Sequence, residues 1–289
     1  MRLLTTIGIY EKALPKNSSW KERLLLAKQL GFDFIELSID ETDERLKRLD
    51  WSNDERKEVR EAIHETGIKI LSICLSGHRR YPFGSKEQVK RTKALELMEK
   101  AINLASDLGV RTIQLAGYDV YYESKTAHSR EYFIRNLKKA VAMAAAKEVV
   151  LSVEIMDDPF MSSISKFLNI KKQIPSPYLQ VYPDIGNLSA WSENDVGYEL
   201  EKGIDQITAI HLKDTLAVTE NFSGKFKEVP FGTGCVDFLG CFKTLKRLDY
   251  SGPFLIEMWS ENSKTPENEI EKAKEFLFPY LKEAGFSVK

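Results

Sequence analysis

One junction recurs along this chain and restricts its fold more than any other feature: a segment of helical period ends near a glycine, and a short aliphatic, β-branched run follows at once. It occurs in LLLAKQLGFDFIELS (24–38), VREAIHETGIKILSICLS (59–76), INLASDLGVRTIQLAG (102–117) and VGYELEKGIDQITAIHLKD (196–214). Glycine suits the left-handed position that closes a helix, and a run without polar alternation reads as a strand buried on both faces. Each unit is therefore helix, then strand.

With the less regular members included, eight strands are expected at about 3–9, 33–38, 68–75, 110–116, 149–155, 179–184, 206–212 and 253–258. Helical patterns fall between and after them, at about 19–30, 54–66, 86–108, 129–147, 162–173, 194–203, 237–248 and 266–284. The 289 residues divide into eight units of about 36, as a (β/α)8 barrel requires. A doubly wound sheet is the rival, but no GxGxxG follows the first strand. No Pro/Gly/Ser-rich linker divides the chain, so the expectation is an α/β protein made of a single (β/α)8 TIM barrel domain spanning 1–289.

Composition narrows the function. Lysine and arginine total 42 against 43 aspartates and glutamates, a net charge of -1, which offers no basic surface to nucleic acid. The three cysteines, Cys74, Cys235 and Cys241, have no CxxC spacing and suit a reducing compartment. The first fifteen residues lack the pattern of a secretory signal, and the longest apolar stretch, near 140–146, is far short of the roughly 18 residues of a spanning helix. A cytoplasmic protein with no membrane or nucleic-acid partner is expected.

In a barrel the chemistry sits where strands end. Strand five ends at Glu154, strand six at Asp184, strand seven at His211 and strand eight at Glu257. A charge at the end of an apolar run is costly unless it is paired or metal-bound. One strand-end carboxylate alone is more often a loop cap, and a lone His211 a satisfied polar residue, but four on consecutive strands point to a shared ion. Counting back by two gives Ser152, Tyr182, Ala209 and Leu255 as barrel interior. Three carboxylates and one imidazole fit Mn²⁺ best and leave Zn²⁺, Mg²⁺ and Co²⁺ open. The long loop at 216–236 is a candidate lid.

An anion site is sought on the same face. Gly77-His78-Arg79-Arg80 follows strand three, where Arg79 or Arg80 would fork onto an anion such as phosphate and His78 would hydrogen-bond a ligand hydroxyl. The turn at 231–234, with Gly232 and Gly234, could cradle the anion instead. Lys213 would pair with phosphate or simply with Asp214. Glu36 and Gln114, near the ends of strands two and four, would touch substrate or a catalytic glutamate, with Tyr10 and Glu11 as lesser candidates. Trp191 and Trp259 would wall out water, and Cys74 has no base beside it.

The segments SVEIMD (152–157), YPDIGNLSAW (182–191), IHLKDT (210–215), VPFGTGCVDF (229–238) and LIEMWSE (255–261) resemble the xylose-isomerase-like barrels. With GIYEKALP (8–15), LGFDFIELSIDETDERL (30–46), LSGHRRYPFGS (75–85) and IQLAGYDVYY (113–122), the chain resembles the L-ribulose-5-phosphate 3-epimerases within that superfamily, nearly end to end. The resemblance implies Glu154, Asp184, His211 and Glu257 as ligands of one divalent ion and the two glutamates as the acid/base pair. It implies a phosphorylated ketopentose substrate, interconversion of L-xylulose 5-phosphate and L-ribulose 5-phosphate in L-ascorbate catabolism, and a homo-oligomer, dimer or tetramer. Epimerases of free ketoses carry a histidine three residues after the aspartate ligand and an arginine six after the histidine ligand. Here those positions hold Asn187 and Ala217, so Asn187 is taken as a substrate contact in a differently arranged grip.

Three other functions compete with this reading. An aldose–ketose isomerase of a related sugar phosphate, such as a hexulose-6-phosphate isomerase, is the nearest alternative. An apurinic-site endonuclease on this barrel would need more than the four histidines present, His64, His78, His128 and His211. A non-catalytic sugar-phosphate sensor would not need all four ligands.

Overall fold

The structure is a computed structural model, described here for residues 4–288. Its eight strands, all parallel, are β1 Ile7–Tyr10, β2 Phe34–Ile39, β3 Lys69–Leu75, β4 Thr112–Leu115, β5 Val150–Glu154, β6 Leu179–Tyr182, β7 Ile210–Leu212 and β8 Phe254–Ile256. They are joined through α1 Trp20–Gln29, α2 Asp43–Leu46, α3 Asn53–Thr66, α4 Gln88–Leu108, α5 Ala127–Ala145, α6 Ile164–Lys171, α7 Ile185–Ser189, α8 Val196–Gly203 and α9 Phe238–Arg247, and α10 Pro266–Glu283 follows the last strand. Each strand and each of the eight long helices lies where the sequence pattern places it, apart from a residue or more at the ends. The start of the expected 3–9 strand lies outside the described residues. The short α2 and α7, in loops at the catalytic end, have too few residues to show a period.

The strands pair in the order β6-β5-β4-β3-β2-β1-β8-β7. Between β6 and β7 there is no regular ladder, and the circle is completed by two isolated parallel bridges, Val181 with Ile207 and Asp184 with His211. The Thr208 N–H donates to Val181 O at 3.1 Å and the His211 N–H to Pro183 O at 2.9 Å. Pro183 has no N–H to give, which ends β6 two residues before the expected limit. β7 is shorter than expected: a 3-10 turn occupies 204–206, and Ile207 makes only an isolated bridge before the strand begins at Ile210.

Gly67 and Gly109 close α3 and α4 at φ 74° and 73°, the left-handed geometry that the recurring junction requires. At the fourth junction the cause differs. Gly203 has φ -97°, and a Cβ there would lie 2.5 Å from Ile164 Cγ2, so glycine is needed for the close approach of α8 to α6. Most of the apolar core, including Ile9, Ile35, Leu37, Ile113, Leu151, Ile210 and Ile256, forms one cluster that includes residues of the surrounding helices. Tyr10, Phe34, Cys74 and Leu255 form a separate cluster, on the opposite strand parity. No helix among the described residues is long and apolar enough to cross a membrane.

Glu11, a lesser site candidate in the sequence, is instead the hub of a buried ionic cluster at the carboxyl end of the strands. Its Oε1 accepts from Arg23 at 2.9 Å and is ion-paired with Arg45 at 2.6 Å, and its Oε2 accepts from Arg48 at 2.6 Å and the Ser38 N–H at 2.8 Å. Arg45 continues to Glu261 Oε2 at 2.6 Å, so one carboxylate joins the ends of β1 and β2 to α1, α2 and the loop after β8. Burial pushes the Glu11 carboxyl up, but the guanidiniums, Arg48 foremost, outweigh that and hold it below its ordinary value.

Glu11→Gln leaves three buried guanidiniums short of their counter-ion, and it should cost about 3–5 kcal/mol in urea unfolding. Because the folded carboxyl is depressed, its contribution is complete above the unfolded pKa and is lost as pH falls through the folded one. The variant's stability should therefore fall less steeply than the wild type's on acidification.

Candidate metal centre at the carboxyl ends of the strands

Glu154 is the last residue of β5, Asp184 follows β6 and caps α7, His211 is the middle of β7, and Glu257 follows β8. The register is staggered, with Glu154 opposite Tyr182, Asp184 opposite His211 and His211 opposite Leu255, and the stagger that closes a barrel carries the four side chains to one place. Each offers a ligand atom, and those atoms all lie within 4.8 Å of one another. All four are at least 94% buried. The Asp184–His211 bridge and the Glu257 N–H donating to Leu212 O at 2.9 Å fix the backbone beneath them.

The imidazole has two faces. His211 Nδ1 lies 3.3 Å from Glu154 Oε1, 3.9 Å from Asp184 Oδ2 and 3.8 Å from Glu257 Oε2, while Nε2 is 2.9 Å from Glu36 Oε1. Glu36 also accepts from Ser72 Oγ, and the ring packs on Tyr182 with centroids 4.5 Å apart. One nitrogen therefore faces the three carboxylates, and Glu36 holds the other. Gln114 donates its amide to Glu154 Oε2. Lys213 Nζ sits 2.9 Å from Asp184 Oδ2 and 3.0 Å from Glu257 Oε2.

The electrostatics follow from burial. Desolvation raises the carboxyls of Glu154 and Asp184 above their ordinary range. It also acts on Glu257, but there Lys213 and His211 prevail and hold the group down at about 2. His211 is raised well above its usual value: burial opposes its charge, and Glu36 and Glu257 more than offset that. A buried oxygen-rich set, three carboxylates and one imidazole with ligand atoms converging on one point, fits a divalent cation.

A cavity opens above the centre, with Glu154, Asn187, Lys213, Glu257 and Trp259 in its wall and Arg79, Lys12 and Lys227 around it. Arg79 lies 5.5 Å and 5.3 Å from the ring centres of Tyr118 and Tyr121, and its Nε is buried without a hydrogen-bond partner. Asn187 donates to Ile155 O at 2.7 Å, and its Oδ1 likewise has no partner. The loop at 216–236 forms short antiparallel bridges, Leu216 with Lys225 and Thr219 with Phe222, before Phe226 and Lys227 reach the cavity. Trp191 donates to Met156 O at 3.3 Å behind Phe226, and Trp259 meets Tyr10 edge-on. Cys74 lines the same cavity, its thiol pushed up by burial.

Four sequence expectations are corrected here. His78 is a core residue: its Nε2 is 3.1 Å from Ala94 O, its ring lies 4.4 Å from that of Phe83, and burial lowers its pKa to about 4. Arg80 forms an exposed ion pair with Asp43 at 2.6 Å. The N–H groups of Gly232 and Gly234 both donate to Asp214 Oδ2 at 2.9 Å, so a carboxylate already fills that cradle. Lys213 therefore pairs not with Asp214 but with Asp184 and Glu257. Glu36 and Gln114 bear on His211 and Glu154. The sequence reading missed Lys12 and Lys227; a lysine between a turn and a proline in a long loop carries no periodic signal.

Residues 24–280 match the family model described as xylose isomerase-like TIM barrel. The chain is 58% identical over 280 residues to a putative L-ribulose-5-phosphate 3-epimerase (SgbU) of Escherichia coli, covering 97% of this chain and 98% of that one. It is 53% identical over 279 residues to the L-ribulose-5-phosphate 3-epimerase (UlaE) of Salmonella heidelberg, covering 96% of each. Among solved structures, an L-ribulose 3-epimerase superposes with TM-score 0.75 at 20% identity, over 97% of this chain and 96% of that one. The 3-keto-D-glucoside 4-epimerase of E. coli superposes with TM-score 0.73 at 18% identity, over 94% and 98%. These last two likenesses establish the fold.

Glu36→Gln keeps the volume beneath His211 but removes the charge that orients the ring. Metal affinity, measured by calorimetry on chelator-treated protein, should fall about 10–100-fold with the fold intact.

Proposed function

The chain belongs to the xylose isomerase-like TIM barrel family and, within it, to the L-ribulose-5-phosphate 3-epimerase group of isomerases; on that premise we propose that it interconverts L-xylulose 5-phosphate and L-ribulose 5-phosphate at C3. The observation that carries this reading is the convergence of Glu154, Asp184, His211 and Glu257 below a cavity whose surroundings include Arg79, Lys227 and unpartnered polar atoms. Glu154 and Glu257 arrive from β5 and β8, with β6 and β7 between them, so two carboxylates reach a bound carbon from different sides. Epimerisation needs this. One glutamate takes the C3 proton from one face, the other returns a proton to the opposite face, and the roles exchange with direction.

A divalent cation, Mn²⁺ by donor type, held by the four residues would stabilise as a Lewis acid the charge that develops on O2 and O3. Glu36 keeps His211 in register for that ion, and Gln114 fixes the orientation of Glu154. Trp191 and Trp259, with Phe226, exclude water from the proton-transfer site. Arg79, with an unpartnered buried Nε, and Lys227 would take the substrate phosphate. Asn187 Oδ1 is placed to accept from a sugar hydroxyl. A single barrel domain, a cytoplasmic location, a role in L-ascorbate catabolism and a dimeric or tetrameric state complete the proposal.

An aldose–ketose isomerase could use the same carboxylates for a 1,2-shift. L-Xylulose 5-phosphate in deuterated water separates the two: label should enter at C3, and exchange confined to C1 would overturn the epimerase reading. Glu154→Gln and Glu257→Gln should each fold and lose C3 exchange by about 1,000-fold or more, since an amide cannot serve as base. Arg79→Ala should raise KM for the phosphorylated substrate about 10-fold or more while kcat changes less, as expected for a lost charge-assisted contact away from the reacting carbon.

A further inference from the structure

The lysine in the centre has no role in the proton transfer proposed above, yet it is one of its best-held side chains. Lys213 Nζ contacts Asp184 Oδ2 and Glu257 Oε2, the two oxygens that also face His211 Nδ1. These are the inward oxygens that a cation shared by the four residues would need. With Glu36 and Glu154, four buried carboxylates lie around a single imidazole and a single ammonium. A divalent ion bound by the same oxygens at about 2.0–2.2 Å would stand against the ammonium at a few ångströms, with little water between them.

The side chain also has somewhere to go. Lys213 borders both the substrate cavity and a second cavity of about 440 Å³, whose wall includes Glu228, Phe231, Met258, Trp259 and Glu269. Trp259 already lies 5.8 Å from the ammonium, measured to the ring centre, and offers its face to a cation. Glu228 and Glu269 supply carboxylates to its wall.

We propose that Lys213 is the built-in counter-cation of the centre: its ammonium holds Asp184 and Glu257 together in the ion-free protein and is exchanged for the divalent ion on loading. The inference rests on the four-residue centre of the proposed function. Metal loading is then a substitution, not an addition. The ion-free barrel is spared the repulsion of its clustered carboxylates, at the cost of a weaker hold on the ion. Lys213 acts on metal occupancy through Asp184 and Glu257 and is a positioning residue.

The test is calorimetric titration of chelator-treated protein with Mn²⁺, alongside thermal unfolding with and without the ion. Lys213→Met should bind Mn²⁺ about 10-fold or more tightly than wild type, because no ammonium need be expelled, and should melt lower than wild type only when ion-free. Lys213→Arg, which keeps the charge, should stay near wild type in both. Equal or weaker Mn²⁺ binding by Lys213→Met would overturn the exchange. Wild type that binds no Mn²⁺ would overturn the centre itself, which distinguishes the two failures. If Lys213→Met does not fold without the ion, wild type still decides: acetylation of Lys213, followed by mass spectrometry, should quicken several-fold on Mn²⁺ addition, and an unchanged rate would sink the proposal.

Discussion

Carboxylates gathered out of water at one end of a barrel repel one another and lose their hydration, so the fold stands only if positive charge is delivered to the same place. Two clusters solve this problem in different ways. Around Glu11, permanent guanidiniums from α1, α2 and the turn after it surround one carboxylate, and the balance is fixed by the fold. Around His211 the acids outnumber the resident cations, and the balance is left to an imidazole, a lysine and whatever ion binds. The first cluster is a joint, the second a site. Their separation lets the strand ends stay rigid while the charge of the centre changes.

The architecture was largely legible in the sequence because it rests on local signals. Glycine-closed helices and unbroken apolar runs are read within some fifteen residues, and Gly67 and Gly109 adopt the geometry that makes the signal physical. Gly203 marks the limit of that logic: the same letter in the same place serves a close helix contact instead. The convergence of Glu154, Asp184, His211 and Glu257 was legible for a related reason. A charge that terminates an apolar strand has only one end of the barrel to go to.

What was not legible depends on partners distant in sequence. His78, Arg79 and Arg80 are adjacent, yet a single 3-10 turn sends the first into the core, the second to the cavity and the third to solvent. No pattern in GHRR predicts that division. The glycines at 232 and 234 have the amides of an anion cradle, but Asp214, some twenty residues earlier, fills it. Lys227 matters only because the loop bends it over the strand ends. Glu36 was open to a substrate or a glutamate as its partner, and the fold gives it His211 on β7 instead.

The place where the sheet closes carries a mechanical meaning. Between β6 and β7 the circle is held by two bridges rather than a ladder, and one of them joins Asp184 to His211. Two of the four side chains of the centre thus stand on either side of the barrel's least-stitched seam. An ion that gripped both would work as a rivet across that seam, so that holding the ion and keeping the circle shut would become one event.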